Sequence, residues 1–148
     1  MARNEAPATL PSDYYLMKML SPEKADVDVE LLESNFMFYD FTADVGEVSY
    51  TCQIMKMEES FYVYVGKAGD ESMNDLTYSF LSAYDNLPVA TRLLGAVGNP
   101  LSAPLASKLT KLSGKSVYVS FNLDIHRRMM PCIEKRIAEE FKTHAMAS

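Results

Sequence analysis

The sequence predicts an α+β fold in which about six antiparallel strands form a sheet and two helices pack on it. Three observations lead there. Aromatic and β-branched residues alternate with polar ones in short runs separated by turn residues. Leu101, Leu105, Leu109 and Leu112 recur at helical spacing and are followed by Gly114. A second apolar stripe, Ile133, Ile137 and Phe141, follows Pro131.

Taken in order, residues 1–30 read as an N-terminal tail, punctuated by Pro7, Pro11 and Pro22 and interrupted by an apolar patch from Tyr14 to Leu20. Residues 31–148 read as one domain. Phe36, Phe38 and Phe41 suggest a strand over 34–41, and Asp44-Val45-Gly46 supplies a turn. Val48, Tyr50, Cys52 and Ile54 alternate with Ser49, Thr51 and Gln53, giving a strand over 47–57. Glu58-Glu59-Ser60 turns the chain into Phe61-Tyr62-Val63-Tyr64-Val65, a strand over 60–66 that offers apolar or aromatic side chains to both faces. Such a strand needs cover on both sides, from its own helices or from a second chain. Residues 75–82 fit a strand or a helix; their aromatic content and the Asp85-Asn86 turn favour a hairpin, with Pro88 opening its second arm over 88–94. Ser102 is placed to cap a helix over 102–113, with Pro104 in its first turn. Val117, Val119 and Phe121 mark a strand over 115–123, and Pro131 opens a helix over 130–142.

A chain of 148 residues buries roughly 70% of its unfolded surface, enough for a core without metal or disulfide support. No apolar run approaches the ~20 residues that span a bilayer, and the N-terminus lacks the apolar stretch of a secretory signal. Cys52 and Cys132 stand far apart among apolar or small residues, the setting of buried thiols in a reducing compartment. Charge divides along the chain. Residues 1–90 carry 16 Asp/Glu against 5 Lys/Arg, a net of −11, and residues 91–148 carry 4 against 9, a net of +5. The basic part lacks any RNP-like or helix-turn-helix pattern, so its cations read as solvated helix faces and not as a nucleic-acid surface.

Catalysis needs a nucleophile with its base, a metal set, paired carboxylates or a phosphate loop, and the sequence assembles none of these. His126 and His144 have no ligand-type neighbours and read as surface histidines. Gly95-Ala96-Val97-Gly98 lacks the Lys-Ser/Thr of a P-loop and the third glycine of a dinucleotide fingerprint. Glu58-Glu59 and Asp70-Glu71 sit in turns, where water solvates them. No catalytic, cofactor-binding or metal-ligating residue emerges. The 10 Met, 9 Tyr and 7 Phe residues are core material first, and Met and Tyr are also enriched at protein interfaces.

From Tyr84 the sequence resembles a known family. Tyr84-Asp85-Asn86-Leu87-Pro88-Val89-Ala90-Thr91-Arg92-Leu93-Leu94-Gly95 resembles the Tyr-Asp-x-Ile-Pro-Val-x-Thr-x-Leu-Leu-Gly segment of the proteasome assembly chaperone 4 family. Leu105-Ala106-Ser107-Lys108-Leu109, Lys115 to Leu123 and Glu134 to Glu140 follow that family's next helix, strand and final helix in order and spacing. The resemblance spans roughly residues 74–141. It implies a non-catalytic protein without cofactor that pairs with proteasome assembly chaperone 3. The pair would hold α-type subunits, particularly the fifth, while the α-ring of the proteasome core particle forms, and then leave. It also implies partner contacts at Tyr84, Asp85, Leu87, Pro88 and Arg92, no nucleic acid or membrane, and a cytoplasmic and nuclear location. Within the motif, Asp85 is expected to bond its own backbone at the turn with Tyr84 packed beside it, in preference to the alternative that the two form an exposed contact, and Asn122 to cap a strand end rather than bind. The competing reading is a small adaptor of a trafficking or signalling complex that dimerises through a sheet or a helix pair.

Overall fold

A computed structural model describes residues 29–96 and 100–146. The expected tail, residues 1–30, lies almost wholly outside the described residues, as does the middle of the 95–100 loop. From Ser34 onward the chain is one compact unit.

Among the described residues there are six strands, all in one sheet. They are β1 (Met37–Val45), β2 (Val48–Lys56), β3 (Ser60–Lys67), β4 (Leu76–Leu81), β5 (Pro88–Leu94) and β6 (Ser116–Phe121). The spatial order is β1-β2-β3-β6-β4-β5. The described residues also hold two α-helices, α1 (Ser102–Ser113) and α2 (Met130–Glu140), which give an α+β fold.

The first three strands form the expected antiparallel meander. β1 starts later than expected and runs on through Asp44 and Val45, which leaves Gly46 and Glu47 as the turn. The alternation explains this: Phe41 and Val45 are buried, so Asp44 is an outward strand residue and not a turn residue. Gly46 supplies the positive φ (+61°) that a two-residue hairpin loop requires. Residues 76–81 are a strand, and they pair with β5 in a hairpin that Pro88 opens.

One ladder departs from the antiparallel expectation. β6 runs parallel to β3, Phe61 opposite Val117 and Val63 opposite Val119, and antiparallel to β4 on its other side. A parallel neighbour requires a crossover, and α1 provides it by carrying the chain from edge strand β5 back to the sheet centre.

α1 lies over β4, β5 and β6 and buries Leu105, Ala106 and Leu109. Gly114 ends it in the left-handed region (φ +73°), its N–H bonded to the Thr110 carbonyl at 2.8 Å. Ser102 is not the cap. It is the first helical residue, fully buried, and its hydroxyl meets the Thr77 hydroxyl of β4 at 2.6 Å. The side chain that looked suited to capping instead satisfies a buried partner in the sheet. α2 opens on Pro131 after a 3₁₀ turn at Arg127–Met129, whose start is capped by the His126 Nδ1 accepting the Arg128 N–H at 3.1 Å. Its stripe of Ile133 and Ile137 continues through a π turn, Phe141–Ala145. There the Phe141 ring meets Phe61 edge-on at 4.7 Å. Cys52 is buried in this core, and burial pushes its thiol far up; Cys132 is exposed on α2, contrary to the expectation for both. Cys132 precedes Ile133 on the helix and so faces away from the apolar stripe.

Candidate interaction surface

Strand periodicity gives the sheet two faces, and the described helices take only one. Every strand side chain in the buried core, from Phe41 and Tyr50 through Val63 to Val119, belongs to the same alternate set. Among the described residues the other set forms an open face. The registers align Phe38, Met55, Tyr62, Tyr118, Tyr78 and Thr91 in a single row that crosses all six strands. At its centre the Tyr78 and Tyr118 rings lie 4.7 Å apart, and Phe80 stacks beside Tyr78 at 5.5 Å. These rings are half-buried and lie against one another; Phe38, at the β1 end, is 62% exposed. Cross-strand aromatic pairs of this kind stiffen a sheet and leave a flat, rigid, amphipathic surface.

One corner of this face is acidic. A concavity of about 450 Å³ is bounded by Asp40, Tyr62, Tyr64, Lys67, Asp70 and Glu71. Its rim is a loop held at several points. The Tyr64 hydroxyl donates to the Ser72 carbonyl at 2.6 Å, and the Asp70 carboxylate accepts the Ser72 N–H at 3.0 Å, which holds that carboxyl below its usual range. Asn122 does more than cap its strand. Its Oδ1 accepts the Asn74 N–H at 2.7 Å, while its Nδ2 donates to the Val65 carbonyl and the Ser120 hydroxyl. The Asp75 carboxylate accepts the Phe121 N–H at 3.2 Å. Together these fix the loop across the ends of β3 and β6.

The residues that the motif singled out gather at the opposite edge. Asp85 accepts the Leu87 N–H at 3.2 Å and Asn86 takes a left-handed φ of +58°, so the β4–β5 turn is rigid, with Asp85 in the structural role expected. Tyr84 does not pack beside it: the side chain is 98% exposed. Leu87, Val89, Leu93 and Leu94 are also exposed, so the hairpin and edge strand carry a continuous apolar margin. Pro88 lies opposite Leu81, and Arg92 lies opposite Thr77 with its guanidinium donating to the Ala96 carbonyl. Tyr84, Leu87 and Val89 therefore share one border of the sheet, while Asp85, Pro88 and Arg92 shape it.

The tyrosine row was the part that sequence reasoning missed. Its signal is present, since Tyr62 and Tyr118 each alternate with buried valines, but the alignment of Tyr62, Tyr118 and Tyr78 depends on the parallel ladder.

A further cluster secures the β1 edge. Glu140 of α2 accepts the Tyr39 hydroxyl at 2.8 Å and the Arg136 guanidinium at 3.1 Å, and His144 stacks on Tyr39 at 3.8 Å. The Tyr39 bond holds the Glu140 carboxyl below its usual range and pushes the Tyr39 phenol up. His144 is thus engaged on the fold, although its side chain stays partly exposed. Among the described residues no group of three or more His, Cys, Asp or Glu side chains is placed to hold a metal ion, and no helix is long and apolar enough to cross a membrane.

Comparison with known proteins bears on what such a surface serves. A family model for proteasome assembly chaperone 4 matches residues 49–123. Mouse proteasome assembly chaperone 4 is 31% identical over 120 residues, covering 80% of this chain and 90% of the relative. The human protein of that name is 30% identical over 105 residues, covering 70% and 84%. Among solved structures, a chain described under "Crystal Structure of a Novel Chaperone Complex for Yeast 20S Proteasome Assembly" shares the fold, with a TM-score of 0.58 at 14% identity, over 73% of this chain and 96% of that one.

Proposed function

The chain belongs to the proteasome assembly chaperone 4 family, and from that premise we propose that it is a non-catalytic chaperone of proteasome core-particle assembly. In this reading it pairs with a proteasome assembly chaperone 3-like protein through the open sheet face. The pair holds α-type subunits, the fifth in particular, while the α-ring closes, and is then released. The apolar margin at Tyr84, Leu87 and Val89, with Asp85, Pro88 and Arg92 beneath it, is the client side. The work is done in the cytoplasm and in the nucleus.

The observation that supports this most is the row across six strands, aromatic on four of them and, among the described residues, left open on the side away from the helices. A sheet face of six strands about 4.8 Å apart, with strands about 20 Å long, offers several hundred Å², close to the roughly 800 Å² per partner of a standard interface. Its acidic corner favours fast, oriented encounter with a basic partner surface. Co-expression with the cognate chaperone 3-like protein and α-type subunits, followed by affinity capture, tests the proposal. Recovery of a stoichiometric pair that carries α-type subunits is the expected result, and failure to recover either partner refutes it.

A further inference from the structure

The sheet has two edges, and they are built differently. β1 carries Asp40 and Asp44 along its length, and charged residues of this kind discourage another chain from adding a strand. β5 has no carboxylate. Its protective devices sit at its ends: Pro88 at the first residue and a register shift that leaves Leu93 as an extra residue near the last. Between them, Val89 to Arg92 pairs with β4 on one side only, and among the described residues nothing pairs with the outer side of Val89 to Leu93. Val89, Ala90, Thr91 and Leu93 are exposed, and Arg92 directs its guanidinium back to the Ala96 carbonyl of its own loop. The turn that leads into this edge is already rigid, so binding here orders little new chain.

We infer that the outer edge of β5 receives an extended, uncharged and alternately apolar segment of the α-type client as an added strand. This rests on the client-holding role proposed above and names its docking mode. Main-chain hydrogen bonds would supply affinity, and apolar side chains beside Val89 and Leu94 would supply selectivity. Contact area argues for a client and against a second copy of this chain. The open stretch is about 17 Å long, and one added strand on it covers much less than the roughly 800 Å² per partner that a lasting dimer uses. Tyr84 and Leu87, exposed at the adjoining turn, extend the contact modestly. The outcome is a hold that can be released.

The test uses the full chain with its chaperone 3-like partner and α-type subunits. Ala90→Lys places a charge on the edge strand in the register that faces the helix side, away from the open face. The expected result is an at least tenfold loss of α-type subunit capture with pairing to the chaperone unchanged. In the unsubstituted complex, amide exchange over residues 89–93 should slow at least tenfold when the α-type subunit binds, a reading that stands even if the variant folds poorly. Undiminished capture by Ala90→Lys together with unchanged exchange overturns the inference alone. Concentration-dependent protection of the same amides in the isolated chain also overturns it, because a second copy then occupies the edge. If the unsubstituted chain captures no α-type subunit, the proposed function falls and this inference with it.

Discussion

The hydroxyls of Thr77 and Ser102 meet at 2.6 Å in the seam between β4 and α1, both fully buried and each satisfying the other. Removing one leaves the other desolvated without a partner, at a cost of about 1–3 kcal/mol, whereas removing both leaves an apolar contact that is close to neutral. Thr77→Val and Ser102→Ala should each destabilise by that amount, and the double variant should recover most of the loss. Urea unfolding of the four proteins checks this; additive losses would show that the pair is not coupled.

Tyr118 sits in the middle of the open-face row, against Tyr78 and away from the core. Tyr118→Ala should leave the fold intact and weaken pairing with the chaperone 3-like partner by about 30-fold, the loss expected of a central aromatic anchor worth about 2 kcal/mol. Calorimetric titration measures it, with circular dichroism as the folding control. An unchanged dissociation constant would place the pairing surface elsewhere.

Tyr84 and Asp85 are adjacent, and their substitutions should separate. Tyr84→Ala removes a side chain that contacts almost nothing, so stability should stay within about 0.5 kcal/mol while α-type subunit capture falls. Asp85→Ala removes the bond to the Leu87 N–H and should cost about 1 kcal/mol. Thermal melts and capture assays on the two variants distinguish the roles, and a large drop in melting temperature for Tyr84→Ala would contradict its exposure.

Gly66 lies beneath the Tyr64 ring. A Cβ there would fall 2.6 Å from the Tyr64 hydroxyl oxygen and 2.8 Å from the ring, closer than packing allows. Gly66→Ala should push the ring aside, break its bond to the Ser72 carbonyl, and cost about 1–3 kcal/mol. Faster amide exchange in the 68–74 loop is the local signature, and an unchanged loop would mean that the ring moves without releasing it.

Glu140 predicts a pH dependence. Its carboxyl is held below the ordinary value near 4.5, first by the Tyr39 hydroxyl and then by Arg136, against the opposing effect of burial. The unfolded chain therefore takes up the proton more readily than the folded one. The stabilisation is complete above the ordinary carboxylate range and is lost as pH falls through the lowered value. Glu140→Gln should be less stable than the unsubstituted chain at pH 7, with the gap narrowing towards pH 3. Denaturant titrations at the two pH values check it, and a constant gap would remove Glu140 from the acid response.

Much of this fold is visible in the alternation of residues. Val63 with Tyr62, or Val119 with Tyr118, marks a strand with one face in the core, and leucine spacing with Gly114 marks α1 from first residue to last. Direction and neighbour are a different kind of information. Nothing local in Ser116–Phe121 distinguishes a parallel partner from an antiparallel one, so the ladder to β3, and with it the tyrosine row, is hidden until the chain is folded. Ser102 and Tyr84 fail for a related reason. Each is assigned by what its residue type does near a helix start or a turn, and in each case tertiary placement decides otherwise: Thr77 takes up the Ser102 hydroxyl, and open solvent surrounds Tyr84.

The central position of β6 has a consequence for synthesis. As the chain leaves the ribosome, β1 to β3 can pair at once and β4 can pair with β5, but the two pieces have no strand between them until residues 116–121 emerge. Until then β3 and β4 each present an unfilled inner edge, and α1 has only part of its seat. The nascent chain is therefore most exposed to mispairing just before residues 116–121 emerge, and a truncation ahead of Ser116 yields two half-sheets that cannot join.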